Sequence, residues 1–432
     1  MPNEPTDRSH KRIVNAWCMY DWANSAFATS IMAALLPPYF SNVAAASLPK
    51  ARATSLWGYS VALAMLVAAC LGPILGAIAD HTGGKKRSLR VFLIIAVVFT
   101  GLLFFIQEGD WMAAMVFYVL ASIGNAGANV FYDSLLPHVA KREEIDQVSA
   151  RGYAFGYLGG GLLLILNMMW FLKPDWFGFA DGNAAVRASF LSVAVWWVLF
   201  SVPLFRRVPE PPAAGHDGTV SAIKAGMARL QQTFHEIQRY KELFKFLVAF
   251  WLYSDGIGTI IKMATIYGAE IGIGSADLAG ALLLTQVVGV PFTFAFGAIA
   301  KKLGTKRSII LGLGVYSIIS IMGYFMAEPW HFWVLAGLVG TVQGGAQALS
   351  RSLFGSMTPK ARSAEFYGFF DISSKFAGIA GPLLFGIVGA LVGSSRWSIV
   401  SLVVFFIVGA WLLRGVNEKE GIAVARAVDA AS

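Results

Sequence analysis

Several charged side chains stand inside stretches that are otherwise apolar, and they are the residues that could do chemistry. Asp21 lies in Tyr20-Asp21-Trp22-Ala23-Asn24-Ser25, within an apolar run over 13–41. A helix rises ~1.5 Å per residue, so Asp21 sits ~12 Å into that run. A carboxylate there is costly unless it faces a cavity or a partner. It either binds a solute or ion, or it bonds a neighbouring helix and holds two helices in register. Asp255 and Lys262 share a helical face, but a rise of ~10 Å keeps them from an ordinary direct pair. A solute between them would meet both charges. Asp371 and Lys375 are spaced to pair with each other, as a structural or gating salt bridge or as solute contacts. Arg351 lies towards the end of its run. Asn125 with Asn129, and Gln343 with Gln347, place amides four apart on one helical face. These amides either line a cavity or hydrogen-bond between helices, at ~0.6 kcal/mol per contact.

These are groups for binding and moving charge, not for breaking bonds. His138, His216, His235 and His331 show no metal-ligand spacing. There is no Gly-x-x-x-x-Gly-Lys nucleotide loop and no hydrolase triad. The expectation is no cofactor, no ATP-driven pump and no enzyme.

The elements that must position these groups are membrane spans. Of 432 residues, 56% are hydrophobic and 14% charged, against about a quarter charged in soluble domains. Apolar runs recur at 13–41, 55–80, 88–107, 111–136, 149–172 and 186–205, then at 243–271, 276–300, 307–327, 330–357, 363–392 and 396–414. Each approaches the ~20 residues that cross a bilayer. Most of the Lys and Arg fall in alternate loops, so the net charge of +9 reads as the positive-inside pattern rather than as a nucleic-acid surface. Both termini are expected on the cytoplasmic side, with Met1–Lys11 a tail before an uncleaved first helix. Cys18 and Cys70 read as small buried hydrophobes. Gly152, Gly156 and Gly160 read as close helix packing. The Trp and Phe residues read as mostly lipid-facing or interfacial, Trp22 being the candidate cavity wall.

Between the two groups of runs, Pro209, Pro211 and Pro212 end the sixth helix. Ile223, Met227, Leu230, Phe234 and Ile237 then fall on one helical face. This is an amphipathic helix, lying on the membrane surface or packed on the bundle.

The two groups repeat. Gly76-Ala77-Ile78-Ala79 matches Gly297-Ala298-Ile299-Ala300, Asn125-Ala126-Gly127-Ala128-Asn129 matches Gln343-Gly344-Gly345-Ala346-Gln347, Asp133-Ser134 matches Arg351-Ser352, and Ser149-Ala150 matches Ser363-Ala364. The offsets are 221 (297−76), 218 (343−125) and 214 (363−149). Parallel six-helix repeats are a transporter architecture with the site near the midplane between them.

Gly76, Asp80, Gly83, Lys85 and Lys86 resemble the major facilitator signature Gly-x-x-x-Asp-x-x-Gly-x-Lys/Arg-Lys/Arg between helices two and three. The resemblance implies that Asp80, supported by Lys85 and Lys86, latches the cytoplasmic side when the protein faces outward. The residues alone also fit a short basic loop that enforces topology. In the second copy Lys301 replaces Asp80, so the latch is not expected to be symmetric. Span four lacks the Arg carried there by many proton-coupled members and offers Asp133. More narrowly, Tyr20-Asp21-Trp22-Ala23-Asn24-Ser25 and Gln347-Ala348-Leu349-Ser350-Arg351-Ser352 are similar to the autophagy-related vacuolar effluxer family of fungi and its bacterial relatives. The resemblance covers essentially the whole chain. It implies amino acids as the solute class and a bacterial cytoplasmic membrane.

The expectation is therefore an all-α integral membrane protein of about twelve transmembrane helices in two pseudo-symmetric halves. The halves would be 1–205 and 243–415, with a linker at 206–242 and a tail at 416–432. It would be a secondary transporter for a small polar or zwitterionic solute, with protons as the candidate coupling ion, membrane lipid as surroundings and no nucleic-acid partner, working as a monomer. Solute contacts are expected from Asp21, Trp22, Asn24, Asn125, Asn129, Asp255, Lys262, Gln343 and Gln347. Coupling or gating is expected from Asp80, Lys85, Lys86, Asp133, Arg351, Asp371 and Lys375, with Asp21 or Asp371 carrying a proton. A membrane sensor or lipid-handling scaffold on the same fold is the alternative.

Overall fold

The computed structural model describes residues 7–212, 239–376, 380–392 and 394–431. The amphipathic helix expected over 223–237 lies outside the described residues, as do the side chains of Lys262 and Lys375. Among the described residues the chain is helical and contains no strand. The first helix, α1 (Asp7–Ala26), continues through wider π-helical turns as far as Ala44. Then come α2 (Lys50–Thr82), α3 (Lys85–Leu102), α4 (Trp111–Ser134), α5 (Ile145–Leu172) and α6 (Gly182–Arg207). Beyond the connecting segment lie α7 (Lys241–Glu270), α8 (Ser275–Leu303), α9 (Thr305–Tyr324), α10 (Pro329–Met357), α11 (Ser363–Phe376), α12 (Ala380–Val392), α13 (Ser395–Arg414) and α14 (Glu418–Ala431). Among the described residues, ten of these helices, α2 to α10 and α13, are long and apolar enough to cross a membrane. The run that begins with α1, and the pair α11–α12, occupy the places of the first and eleventh expected spans.

The buried apolar side chains form two clusters. One runs from Val14 to Val208 and includes Ala364; the other runs from Tyr240 to Val416. Apolar side chains exposed on α3 (Ile94), α6 (Leu199), α9 (Ile318) and α13 (Trp411) mark the outward faces that meet lipid tails. One expectation is corrected here: Cys70 is exposed while Cys18 is buried. Trp176, Trp330 and Trp411 are exposed, while Trp17 and Trp197 are fully buried core residues. The lipid face and the core face of a membrane helix are both apolar, so hydropathy alone does not separate them.

Both ends of the chain reach the same face. His10 pairs with Glu144, and Asp429 on α14 lies 3.4 Å from Arg142. We call this the terminal face. The two clusters meet along a seam where α2 packs on α11 and α5 packs on α8, with α4–α11 and α5–α10 beside them. Close approach on one side of the seam depends on glycine. A Cβ at Gly76 would collide with the Ala364 carbonyl and lie 2.8 Å from the Glu365 nitrogen. A Cβ at Gly368 would lie 2.6 Å from Pro73 Cα. Gly83, at φ +66°, closes α2 in the left-handed conformation that only glycine adopts without strain. Gly156 and Gly160 bring α5 onto α1 at Ser25 in the same way.

Substituting Gly76 by Val should force α2 away from α11. Overpacking of this kind costs ~1–3 kcal/mol, read as a lowered melting temperature in detergent. An unchanged melting temperature would mean that the α2–α11 contact is not close in solution.

Candidate functional site

The seam is closed by a buried arginine. Arg351, on α10, is 2% exposed. Its guanidinium reaches two carboxylates of the first half: Asp21 on α1 at 3.1 Å and Asp133 on α4 at 3.0 Å. It also donates to the Ser149 hydroxyl at 2.9 Å and to the Ser149 carbonyl at 3.0 Å, both on α5. The planar group stacks over Tyr153 at 4.3 Å and Trp17 at 4.9 Å. Tyr132 donates to Asp21 at 2.8 Å, and Trp17 donates to the Tyr132 carbonyl at 3.1 Å while stacking on its ring. One side chain of the second half therefore holds three helices of the first. A guanidinium suits this place because its fork of donors satisfies several acceptors at once. Gly152 makes the room: a Cβ there would strike Asp21 Oδ2 and lie 2.9 Å from the arginine.

A second ionic group lies nearer the terminal face. Asp80, buried at the end of α2, pairs with Lys85 at 2.8 Å. It also accepts the backbone N–H groups of Ala364 at 3.2 Å and Glu365 at 2.8 Å. Those N–H groups open α11, where a helix dipole favours negative charge. Lys85 donates to the Ser363 hydroxyl at 2.6 Å and to the Lys360 carbonyl at 3.3 Å. Lys86 is different: it donates to the Phe205 and Val208 carbonyls at 3.1 and 2.5 Å, inside its own half. Neighbouring helical residues point ~100° apart, so one lysine of the pair meets the seam and the other does not.

The matching seam uses other groups. Asp146, at the start of α5, accepts from Ser352 at 2.5 Å and from Thr305 at 2.6 Å. On α14, Asp429 accepts from the Lys360 backbone N–H at 2.6 Å as well as from Arg142. These bonds all lie towards the terminal face, and those of Asp146 and of Arg142 join the first half to the rest of the chain.

A sequence profile described as Vacuole effluxer Atg22 like matches residues 9–426. The chain belongs to this family. An uncharacterized MFS-type transporter, YxiO of Bacillus subtilis (strain 168), is 39% identical over 407 residues, which is 94% of this chain and 95% of that protein. Autophagy-related protein 22 of Yarrowia lipolytica (strain CLIB 122 / E 150) is 28% identical over 314 residues, 63% of this chain and 52% of that protein. Among solved structures, the proton:xylose symporter XylE bound to 6-bromo-6-deoxy-D-glucose matches with a TM-score of 0.76 at 15% identity, over 98% of this chain and 100% of that one. The transporter FucP in the outward conformation matches with a TM-score of 0.67 at 12% identity, over 94% and 98%. The fold is the major facilitator fold.

In this Atg22-like chain the expected site residues separate into groups. Asp21, Asp133 and Arg351 meet in the cluster, with Asp371 on α11 within electrostatic reach of Asp133. Asp21 is thus spent on an ion pair rather than open to a solute. Asn24 donates to Asn129 at 2.7 Å, joining α1 to α4. Trp22 is no wall of the seam: it stacks on Trp196 of α6 and packs beside Phe155 and Phe200, inside the first half. Asp255 is fully buried, and a Cβ on Gly381 of α12 would lie 2.7 Å from its carboxylate. Its carboxylate therefore packs close against α12. Asn125, Gln343 and Gln347 are half-buried, and Gln343 meets the Tyr157 hydroxyl across the seam. Lys262 and Lys375 lie outside the described side chains. Reading by sequence missed Tyr132, Asp146, Ser149 and Tyr153. Ser149 was visible as a repeat marker; the tyrosines carry no signal beyond being polar groups in apolar runs.

Replacing Arg351 by Leu leaves buried Asp21 and half-buried Asp133 without their countercharge. Removing one partner of a buried pair costs ~3–5 kcal/mol, so R351L should melt well below the parent, and D133N should lose less because Asp21 still holds the arginine. Equal stability of R351L and parent would remove the cluster as the seam's anchor.

Proposed function

We propose that this chain is a secondary transporter working by alternating access, and that the conformation described above is the one closed at the terminal face. One observation carries the reading: a single arginine of the second half is bound to Asp21 and Asp133 of the first, at the closed end of the seam. Such a contact is strong only while the seam excludes water, so the halves 1–205 and 243–415 rock between closed and open arrangements. Asp80 and Lys85 form the outer latch of the same gate. The positive-inside pattern supports a cytoplasmic terminal face, and the bacterial relative supports a bacterial cytoplasmic membrane.

The solute site lies beyond the arginine, away from the terminal face. Gln347 is one turn and Gln343 two turns from Arg351, and Asn125 is two turns from Asp133, ~6 and ~12 Å along their helices. Half-buried amides beside Tyr157 suit a small polar or zwitterionic solute. The family description supports efflux, and amino acids remain the leading class. Asp255 is assigned to holding α7 against α12. The cluster sets two carboxyls against one guanidinium, so one proton on Asp21 or Asp133 makes it neutral. That proton is the candidate coupling ion, released or taken up as Arg351 leaves.

The test is counterflow of labelled amino acids in proteoliposomes holding the purified protein, with and without a pH gradient. The parent should exchange a solute and accumulate it when a gradient is imposed. D21N should keep exchange but lose gradient-driven accumulation, and Q347A should raise KM several-fold with little change in maximal rate. Accumulation by D21N equal to the parent's would overturn the coupling assignment. Absence of flux for every solute, with no thermal shift by any of them, would overturn the transporter reading.

A further inference from the structure

Where the first repeat carries Asp80, the second carries Lys301, and the structure gives this departure a use. Beside the seam between α5 and α8, at the terminal face, lies a cavity of about 760 Å³. It is far larger than the few tens of Å³ a single water needs and falls in the size range of ligand pockets. Its rim is cationic. Lys11 comes from α1, Arg151 from α5, and Lys301 and Lys302 from the end of α8. The carboxylate in the lining is Glu144, and it is engaged by His10 and by the Lys141 backbone N–H. Arg151, Lys301 and Lys302 make no ion pair with a carboxylate among the described residues; Arg151 lies over the Phe155 ring at 5.4 Å.

The inner wall is apolar, with Val14, Phe155, Phe294 and Ala298. From this wall an outward apolar face continues along both helices, through Phe294 and Val287 on α8 and Leu158 and Leu162 on α5, all exposed. In a membrane that face meets acyl chains. A charged rim above an apolar track matches the two parts of one lipid molecule, which a free anion does not.

We propose that this cavity binds the phosphate headgroup of an anionic phospholipid of the leaflet at the terminal face. Arg151 belongs to the first half and Lys301 and Lys302 to the second, so one phosphate bridges the seam. On the α2–α11 side, Asp80 and the backbone of α11 make that bridge within the protein. On the α5–α8 side Lys301 cannot take the part of Asp80; Asp146 bonds Ser352 and Thr305 there, and the lipid phosphate adds the anion that Lys301 and Lys302 lack. The proposal rests on the membrane-spanning fold and not on the transported solute.

The experiment places the full chain in nanodiscs of phosphatidylcholine with or without phosphatidylglycerol, and reads lipids retained after extraction by native mass spectrometry alongside the melting temperature. The parent should retain phosphatidylglycerol in preference to phosphatidylcholine and melt higher with it present. Each cation near an anionic headgroup contributes about fivefold in binding, so K301Q/K302Q should weaken retention roughly 25-fold, and R151Q about fivefold. The charge-keeping pair K301R/K302R should retain the lipid, which separates loss of charge from loss of folding. Equal retention by parent and K301Q/K302Q, or no preference over phosphatidylcholine, would overturn the proposal. A matching shift from inorganic phosphate alone would also overturn it, in favour of a soluble anion.

Discussion

A guanidinium in the interior of a membrane protein loses its hydration, and no apolar contact replaces it. The rest of this molecule follows from how Arg351 meets that cost. It needs acceptors from several directions, and one helix cannot supply them. Asp21, Asp133 and Ser149 come from three helices, and two of them are themselves held, Asp21 by Tyr132 and Ser149 by its bond to the Ala348 carbonyl at 2.7 Å. The requirement runs both ways. The carboxylates are affordable because the arginine is present, and the helices that carry them are drawn to one point. Packing of small residues then follows, since Gly152 must leave space for the charged groups.

The same logic explains why polar bonding concentrates near one face. Apolar helices in lipid gain little from apolar contact with each other, because lipid tails are equally good partners. Directional bonds and close backbone approach must hold the halves together. On one side of the seam these are Asp80, Lys85 and Gly76; on the other they are Asp146, Ser352 and Thr305. The two sides are related by the repeat but are chemically different. Identical topology therefore does not make the two sides energetically equal.

Much of this was legible in the sequence. Hydropathy marks twelve runs, and Gly76, Asp80 and Lys85 of the signature lie at the seam. Asp21, Asp255 and Arg351 are buried, as their apolar surroundings in the sequence imply. What could not be read was who meets whom. Asp21 and Arg351 are 330 residues apart, and nothing local links them. Asp255 reads as a midplane binding group because its depth can be counted, but its helix rotation cannot, and rotation turns it to α12. Trp22 fails similarly: it follows Asp21 by one residue, and one residue on a helix is enough to face α6 instead of α10. Cys70 and Lys86 are the same lesson at the lipid face and at the start of α3.

Asp133 and Arg351 occupy matched positions of the two repeats, at the offset of 218 (351−133) shared by Asn125 and Gln343. Residues on equivalent helices near a pseudo-twofold axis face their own counterparts. In an assembly of two identical six-helix units, the residue at this position would face a copy of itself, and any charge would face the same charge. An acid opposite a base is available only when the two units are encoded separately. Joining the halves in one chain keeps the two together while letting them differ, so the ion pair between these matched positions is one that perfect symmetry forbids.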